Sequence, residues 1–211
     1  MNCFGKLLII LSATTIYIPL SYAQNKSIDT GEPFVVVELF GSEGCSSCPP
    51  ADLLLSELTQ VARNQQKRIF TLDFHVDYWD YLGWKDPFSK KEFTDRQQRY
   101  AQELKSNSIY TPQMIINGQT SFVGSDKERA KQEIDKALTL PALAKINLEV
   151  NYGTQEISLG YSIEGAPKGS IMNAALVERG LVSEALRGEN AGRTLKHDNV
   201  VRQFKSISLL F

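Results

Sequence analysis

Val35, Val36 and Val37, then Leu39 and Phe40, form a short β-branched and aromatic run stopped by Gly41, and this pattern predicts a buried central strand. Leu54, Leu55, Leu58, Val61 and Ala62 then recur at helical spacing behind Pro49 and Pro50, which suit a first helical turn where no amide donor is needed. After a polar turn at 64–67 the period returns to two over 68–76: Phe70, Leu72, Phe74 and Val76 face one way, Thr71, Asp73 and His75 the other. Strand, helix and strand at this spacing make a right-handed βαβ unit with parallel strands.

The segment 77–87 is aromatic and acidic and holds both tryptophans. A helix is predicted beyond it, capped by Asp86 or Ser89, with Phe93, Gln97, Tyr100, Ala101 and Leu104 on one face. Strands over 113–116 and 120–123 flank an Asn117-Gly118 hairpin turn, and an amphipathic helix follows over 126–138 with Ala130, Ile134, Ala137 and Leu138 inward. Beyond Pro141 the chain alternates: strands are predicted around Ile146–Val150, Ile157–Ile163 and Ile171–Val177, with later runs from Leu181 and Val200. The expected fold class is therefore α/β over 33–140 with an antiparallel β-rich C-terminal domain, a small sheet or sandwich, over 142–211. The last strand reaches the C-terminus without a polar tail, and a shortened chain is expected there.

Residues 1–23 carry Lys6, an apolar run from Leu7 to Leu20 and a Ser21-Tyr22-Ala23 exit, the pattern of a cleaved secretory signal peptide. The run is short for a membrane span, so no integral span is expected after cleavage, although an uncleaved anchor stays open as an alternative. A secreted or periplasmic location follows, where a disulfide persists. The formal net charge of −1, from 23 basic and 24 acidic residues, gives no electrostatic case for nucleic acid. No phosphate loop is present and no cofactor is expected.

Cys3 would leave with the signal, so the chemistry rests on Cys45 and Cys48 at the predicted strand-to-helix junction. Exposed amides and the positive end of the helix favour thiolate there, making Cys45 the candidate nucleophile and Cys48 the resolving thiol. Two alternatives stand beside this: a fixed structural disulfide, and a copper or zinc site using Cys45, Cys48 and His75, with Asp77 as a further donor. The βαβ geometry brings His75 toward the dithiol, where it stabilises a thiolate, binds metal or serves as a hydrogen-bonded strand end. Tyr78, Trp79, Tyr81 and Trp84 either line a groove beside the cysteines or cap the core. His197, isolated in the β-rich region, is expected to be structural or exposed.

The strand 35–40, Cys45-Ser46-Ser47-Cys48-Pro49 and Tyr110-Thr111-Pro112 before a strand resemble the thioredoxin superfamily. More closely, Gly44 to Asp52, His75-Val76-Asp77-Tyr78-Trp79-Asp80, Tyr110 to Met114 and Arg187-Gly188-Glu189-Asn190 resemble a family of secreted bacterial thioredoxin-like proteins known as a domain of unknown function. The resemblance implies a thioredoxin-like fold, a cis-proline at Pro112, and a substrate-binding role for Thr111, beside which His75 and Trp79 are further candidates. Glu38 falls near the place of the buried proton-shuttling acid, one residue farther from the first cysteine, and a carboxylate paired with Lys or Arg is the alternative. Gly44 stands where thioredoxins carry tryptophan, and Ser46-Ser47 where they carry Gly-Pro. The implied activity is extracytoplasmic thiol-disulfide exchange with a protein dithiol or disulfide. The alternatives are a binding scaffold with a locked disulfide and a metal carrier.

Overall fold

A computed structural model describes the backbone of residues 3–10, together with residues 32–153 and 156–209. In chain order the elements are β1 (Cys3–Ile10), β2 (Val35–Gly41), α1 (Pro49–Asn64), β3 (Ile69–His75), a 3-10 turn (Asp80–Leu82), α2 (Lys91–Glu103), β4 (Gln113–Ile116), β5 (Thr120–Val123) and α3 (Lys127–Ala137). They continue as β6 (Lys145–Tyr152), β7 (Glu156–Glu164), β8 (Ile171–Glu178), β9 (Leu181–Glu184), β10 (Thr194–His197) and β11 (Val200–Ser208).

The chain divides into two units. The larger contains 34–140 and 173–205 and is built on a six-stranded sheet in the order β5-β4-β2-β3-β11-β8. β2 and β3 are parallel over their whole length, β4 is antiparallel to β2, and β5 is antiparallel to β4. The period of two along β2 sends Val35, Val37 and Leu39 to one face, where they pack with Ala51, Leu54 and Leu55 of α1 and Ala130 and Ile134 of α3. Phe40 goes to the other face, stacked on Phe74, with Phe93 of α2 edge-on to Phe74. Burying a side chain of this size is worth about 1.5–3 kcal/mol, so each helix is held by its apolar stripe.

The alternation beyond Pro141 predicts one C-terminal body over 142–211, but the strands are shared out. β3 has an edge that β2 leaves open, and β11 takes it in parallel, with Val200 opposite Asp73; β8 follows. β9 and β10 form an antiparallel ribbon, and β10 packs against α1. The smaller unit is a three-stranded antiparallel sheet in the order β1-β7-β6, with Ile163, Met172 and Leu209 at its core. The expected signal segment 1–23 lies outside the described residues except for β1, whose backbone pairs from Cys3 opposite Ile163 to Ile10 opposite Glu156. Among the described residues no helix is long and apolar enough to cross a membrane.

The Asn117-Gly118 turn forms as predicted, both residues having positive φ. Asp126 caps α3 by accepting from the Arg129 amide at 3.0 Å. α2 differs: it starts at Lys91 with Lys90 as an extended cap residue, and neither Asp86 nor Ser89 caps it. Both are drawn away, Asp86 into a buried ion pair with His75 and Ser89 to Asp80.

Candidate functional site

Gly41 ends β2, and the chain turns through Ser42-Glu43-Gly44 before α1. The Cys45 amide donates to Ser42 O at 3.1 Å and the Cys48 amide to Cys45 O at 3.2 Å, winding the loop into the helix. Cys48 is the cap residue of α1, and Pro49 and Pro50 occupy its first positions. Cys45 and Cys48 form a disulfide with Cα atoms 5.5 Å apart, and both are buried, Cys45 at 0% exposure. A disulfide offers no thiolate, so the copper or zinc set of Cys45, Cys48 and His75 is not assembled in this state.

The segment after β9 covers the cysteine loop. Asn190 donates to Glu43 O at 2.8 Å and to Cys45 O at 2.9 Å, and Glu189 accepts from the Ser46 amide at 3.0 Å. The bonds from Ser46 hold the Glu189 carboxyl below its ordinary range. Gly188 has φ +78, and a Cβ there would stand 3.1 Å from Trp84 Cβ. On the other side Trp79 approaches Gly44, where a Cβ would lie 3.0 Å from Trp79 Cβ, and its indole donates to Thr111 Oγ1 at 2.8 Å. The Thr111–Pro112 bond is cis. Pro112 and Ala51 of α1 close on Gly124, where a Cβ would stand 3.0 Å and 3.2 Å from theirs. Trp79 thus meets Gly44, the residue before Cys45, and holds Thr111, and Pro112 approaches Ala51 in the first turn of α1, while Tyr81 is exposed and Trp84 donates to Glu43 at 2.8 Å.

Glu38 does not join them. The one-residue offset places it on the opposite face of β2 from Leu39, where Arg96 of α2 holds it bidentately, with both contacts at 2.7 Å, and Tyr100 adds a third bond. The acid near the sulfur is Asp52: a Cβ on Gly41 would be 3.7 Å from Cys48 Sγ and 3.8 Å from Asp52 Oδ1. Burial first, and then the charge of Asp73, push the Asp52 carboxyl up to about 7.

Asp52 borders a buried set of charged groups. His75 Nδ1 lies 2.7 Å from Asp86 Oδ2 and its Nε2 3.2 Å from Asp73 Oδ2. His197, at the end of β10, is buried with its ring centroid 4.8 Å from that of His75. Its Nε2 lies 3.4 Å from Glu43 Oε1, and its Nδ1 is 3.7 Å from Asp52 Oδ2 and 3.8 Å from Asp73 Oδ2. Burial works against a charged imidazole, but Asp73 and Asp86 outweigh it and raise His75 well above the usual range; Glu43 does the same for His197. Burial likewise opposes the charged carboxylates, yet His75 holds Asp86 below its ordinary range, and His197 and Ser183 hold Glu43 below its own.

Sequence reasoning brought His75 to this place but missed Glu43, Asp52, Asp86 and His197. Asp73 and His75, two apart on one strand face, were a usable signal; the others come from a loop, a helix start and a distant ribbon, with no shared spacing.

Fold and site define a mixed α/β protein with a buried disulfide at a strand-to-helix junction. The chain belongs to the family described as "Protein of unknown function (DUF1223)", which matches residues 36–210. It is similar to the crystal structure of protein AGR_C_4864 from Agrobacterium tumefaciens, with a TM-score of 0.67 and 28% identity, covering 84% of this chain and 73% of that one. No curated protein matches it.

Proposed function

We propose that the protein is an extracytoplasmic thiol-disulfide oxidoreductase with a thioredoxin-like core. The observation that carries this reading is the Cys45–Cys48 pair at the start of α1, with Trp79, which bonds Thr111, packed on Gly44 just before Cys45. The order β3-β2-β4-β5, parallel and then antiparallel, with the dithiol on the helix between β2 and β3, supports the thioredoxin-like core. The leader-like pattern of 1–23 supports the location.

In the exchange, a substrate thiolate attacks Cys45 Sγ and Cys48 leaves as thiolate. The substrate's second thiolate then displaces Cys45 and forms the substrate disulfide, so two electrons pass to the protein; the reverse sequence reduces a substrate. The N-terminal end of α1 favours the thiolate forms. A C48A variant is expected to accumulate mixed disulfides through Cys45 in a periplasmic extract.

A second reading, a scaffold with a locked disulfide, is favoured by the complete burial of Cys45 beneath the Glu189–Asn190 segment. The reduction potential separates the two: a value below about −300 mV, with an empty C48A trap, marks a structural bridge.

A further inference from the structure

The buried groups beside the disulfide carry more than ion pairing. Among the described residues, Asp73, His75 and His197 bring one ligand atom each to within 4.8 Å of one another. His75 Nε2 and Asp73 Oδ2 are 3.2 Å apart, and His197 Nδ1 stands 3.8 Å from the same oxygen and 3.7 Å from Asp52 Oδ2. Ligands bonded tetrahedrally at about 2.0–2.1 Å from a zinc ion stand about 3.3–3.4 Å from each other. The contacts at 3.2–3.8 Å stand near that spacing, while the 4.8 Å limit on the whole set means that the side chains close in by up to about 1.4 Å around an ion, Asp52 moving in from its place beside His197.

Atoms short of a hydrogen bond point the same way. Among the described residues, both ring nitrogens of His197, whose carboxylate contacts at 3.4–3.8 Å are ion pairs only, and Asp73 Oδ1 are buried without a hydrogen-bond partner, on side chains each 1% exposed. A buried polar group left unsatisfied costs about 1–3 kcal/mol, and a cation among them removes that cost.

The ring of His75 is held from both sides: Nδ1 lies 2.7 Å from Asp86 Oδ2 and Nε2 3.2 Å from Asp73 Oδ2, and the Glu43 and Phe88 amides hold Asp86 in turn, both at 2.8 Å. A metal ion would displace the Nε2 proton and leave the Asp86 contact at Nδ1 to orient the ring. Phe88 closes the site, edge-on to His75 at 5.3 Å and to His197 at 5.8 Å. Among the described residues the ion pairs of Glu43, Asp52, Asp73 and Asp86 all go to these two imidazoles, so carboxylates outnumber their cationic partners.

We propose that Asp73, His75 and His197 bind a divalent transition-metal ion of the zinc class, with Asp52 as the fourth ligand. Two imidazoles with carboxylates suit such an ion better than calcium or magnesium, which take oxygen shells. The site ties β3, β10 and the first turn of α1 together and uses neither cysteine, so its loading is independent of thiol exchange.

The test is titration of the oxidised, chelator-stripped full chain with zinc by calorimetry and with cobalt(II) by absorption. One ion per chain is expected, with visible bands of tetrahedral intensity and no thiolate charge-transfer band. A C45S/C48S variant should bind as wild type does, H197Q should lose binding, and D86N, which keeps every ligand, should bind about 10–100-fold more weakly. No binding by the oxidised wild-type chain, loss of binding in C45S/C48S, unweakened binding by D86N, or equal binding of magnesium or calcium would overturn the site. Should H197Q not fold, D86N and the wild-type cobalt spectrum still decide. An empty C48A trap alongside intact zinc binding would strike the oxidoreductase reading and leave the metal site standing.

Discussion

Asn190 holds the cysteine loop shut with one side chain: its amide donates to two buried carbonyls, those of Glu43 and Cys45. Alanine there leaves both acceptors without their donor, and a net loss of about 1.4 kcal/mol, one ordinary buried hydrogen bond, is a factor of about ten in an opening equilibrium. The disulfide of N190A is therefore expected to be reduced by dithiothreitol about tenfold faster than wild type. An unchanged rate would mean that the path to Cys45 lies elsewhere. Gly44 shows the same dependence on distant residues. Its missing side chain makes room for the backbone and Cβ of Trp79, a residue contributed from beyond β3, next to the residue that precedes Cys45. The missing side chain at Gly44 was visible in the sequence, but the approach of Trp79 to it was not, because the two positions are far apart along the chain and only the fold brings them together.

At the scale of elements, the two faces of β2 do different work. One packs on α1 and α3; the other carries Glu38 into a bidentate pair with Arg96 of α2, the two side chains being 6% and 12% exposed. Removing one partner of such a pair leaves a buried charge, so R96A is expected to cost about 3–5 kcal/mol in chemical denaturation. E38Q, which keeps the shape, should leave the dithiol reduction potential where it is; a shifted potential would restore Glu38 to the redox site. The period of two along β2 was plain in the sequence, and a one-residue offset was enough to put the acid on the wrong face for a proton shuttle. β3 was harder to read. Its apolar set includes the exposed Phe70 as well as the buried Phe74, while Thr71, Asp73 and His75 on the other face are all buried. Alternation shows which residues share a face, but the apolar set points to the core only when the opposite face meets water. Here that face meets α1, β10 and the Asn199 turn, with Thr59, Thr71 and Asn199 hydrogen-bonded in a chain.

At the scale of the molecule, the texture change at Pro141 looked like a domain boundary, because alternation reports strands without saying which sheet they join. The hydrogen bonds and ion pairs of the larger unit give the opposite reading of 173–205. β11 takes the free edge of β3, Ser183 donates to Glu43, Asn190 closes the cysteine loop, and His197 completes the buried charged set. A chain cut after Leu140 keeps every predicted element of the α/β part and both cysteines. It leaves Glu43, Asp52, Asp73 and Asp86 crowded around one imidazole and exposes the edge of β3 to other chains. Such a chain is expected to lose its near-ultraviolet circular dichroism and its cooperative thermal transition, and to associate at micromolar concentration, whereas the full chain unfolds in a single step for the larger unit. If the shortened chain instead melted cooperatively at the full-length midpoint, 173–205 would be an accessory to the α/β unit, and the Glu189, Asn190 and His197 contacts would have to be read as decoration of the dithiol. The integrity of that unit depends on them because the cysteine loop and the polar face of β3 have few other partners: segments brought back from far along the chain satisfy groups that 34–140 alone would bury unpaired.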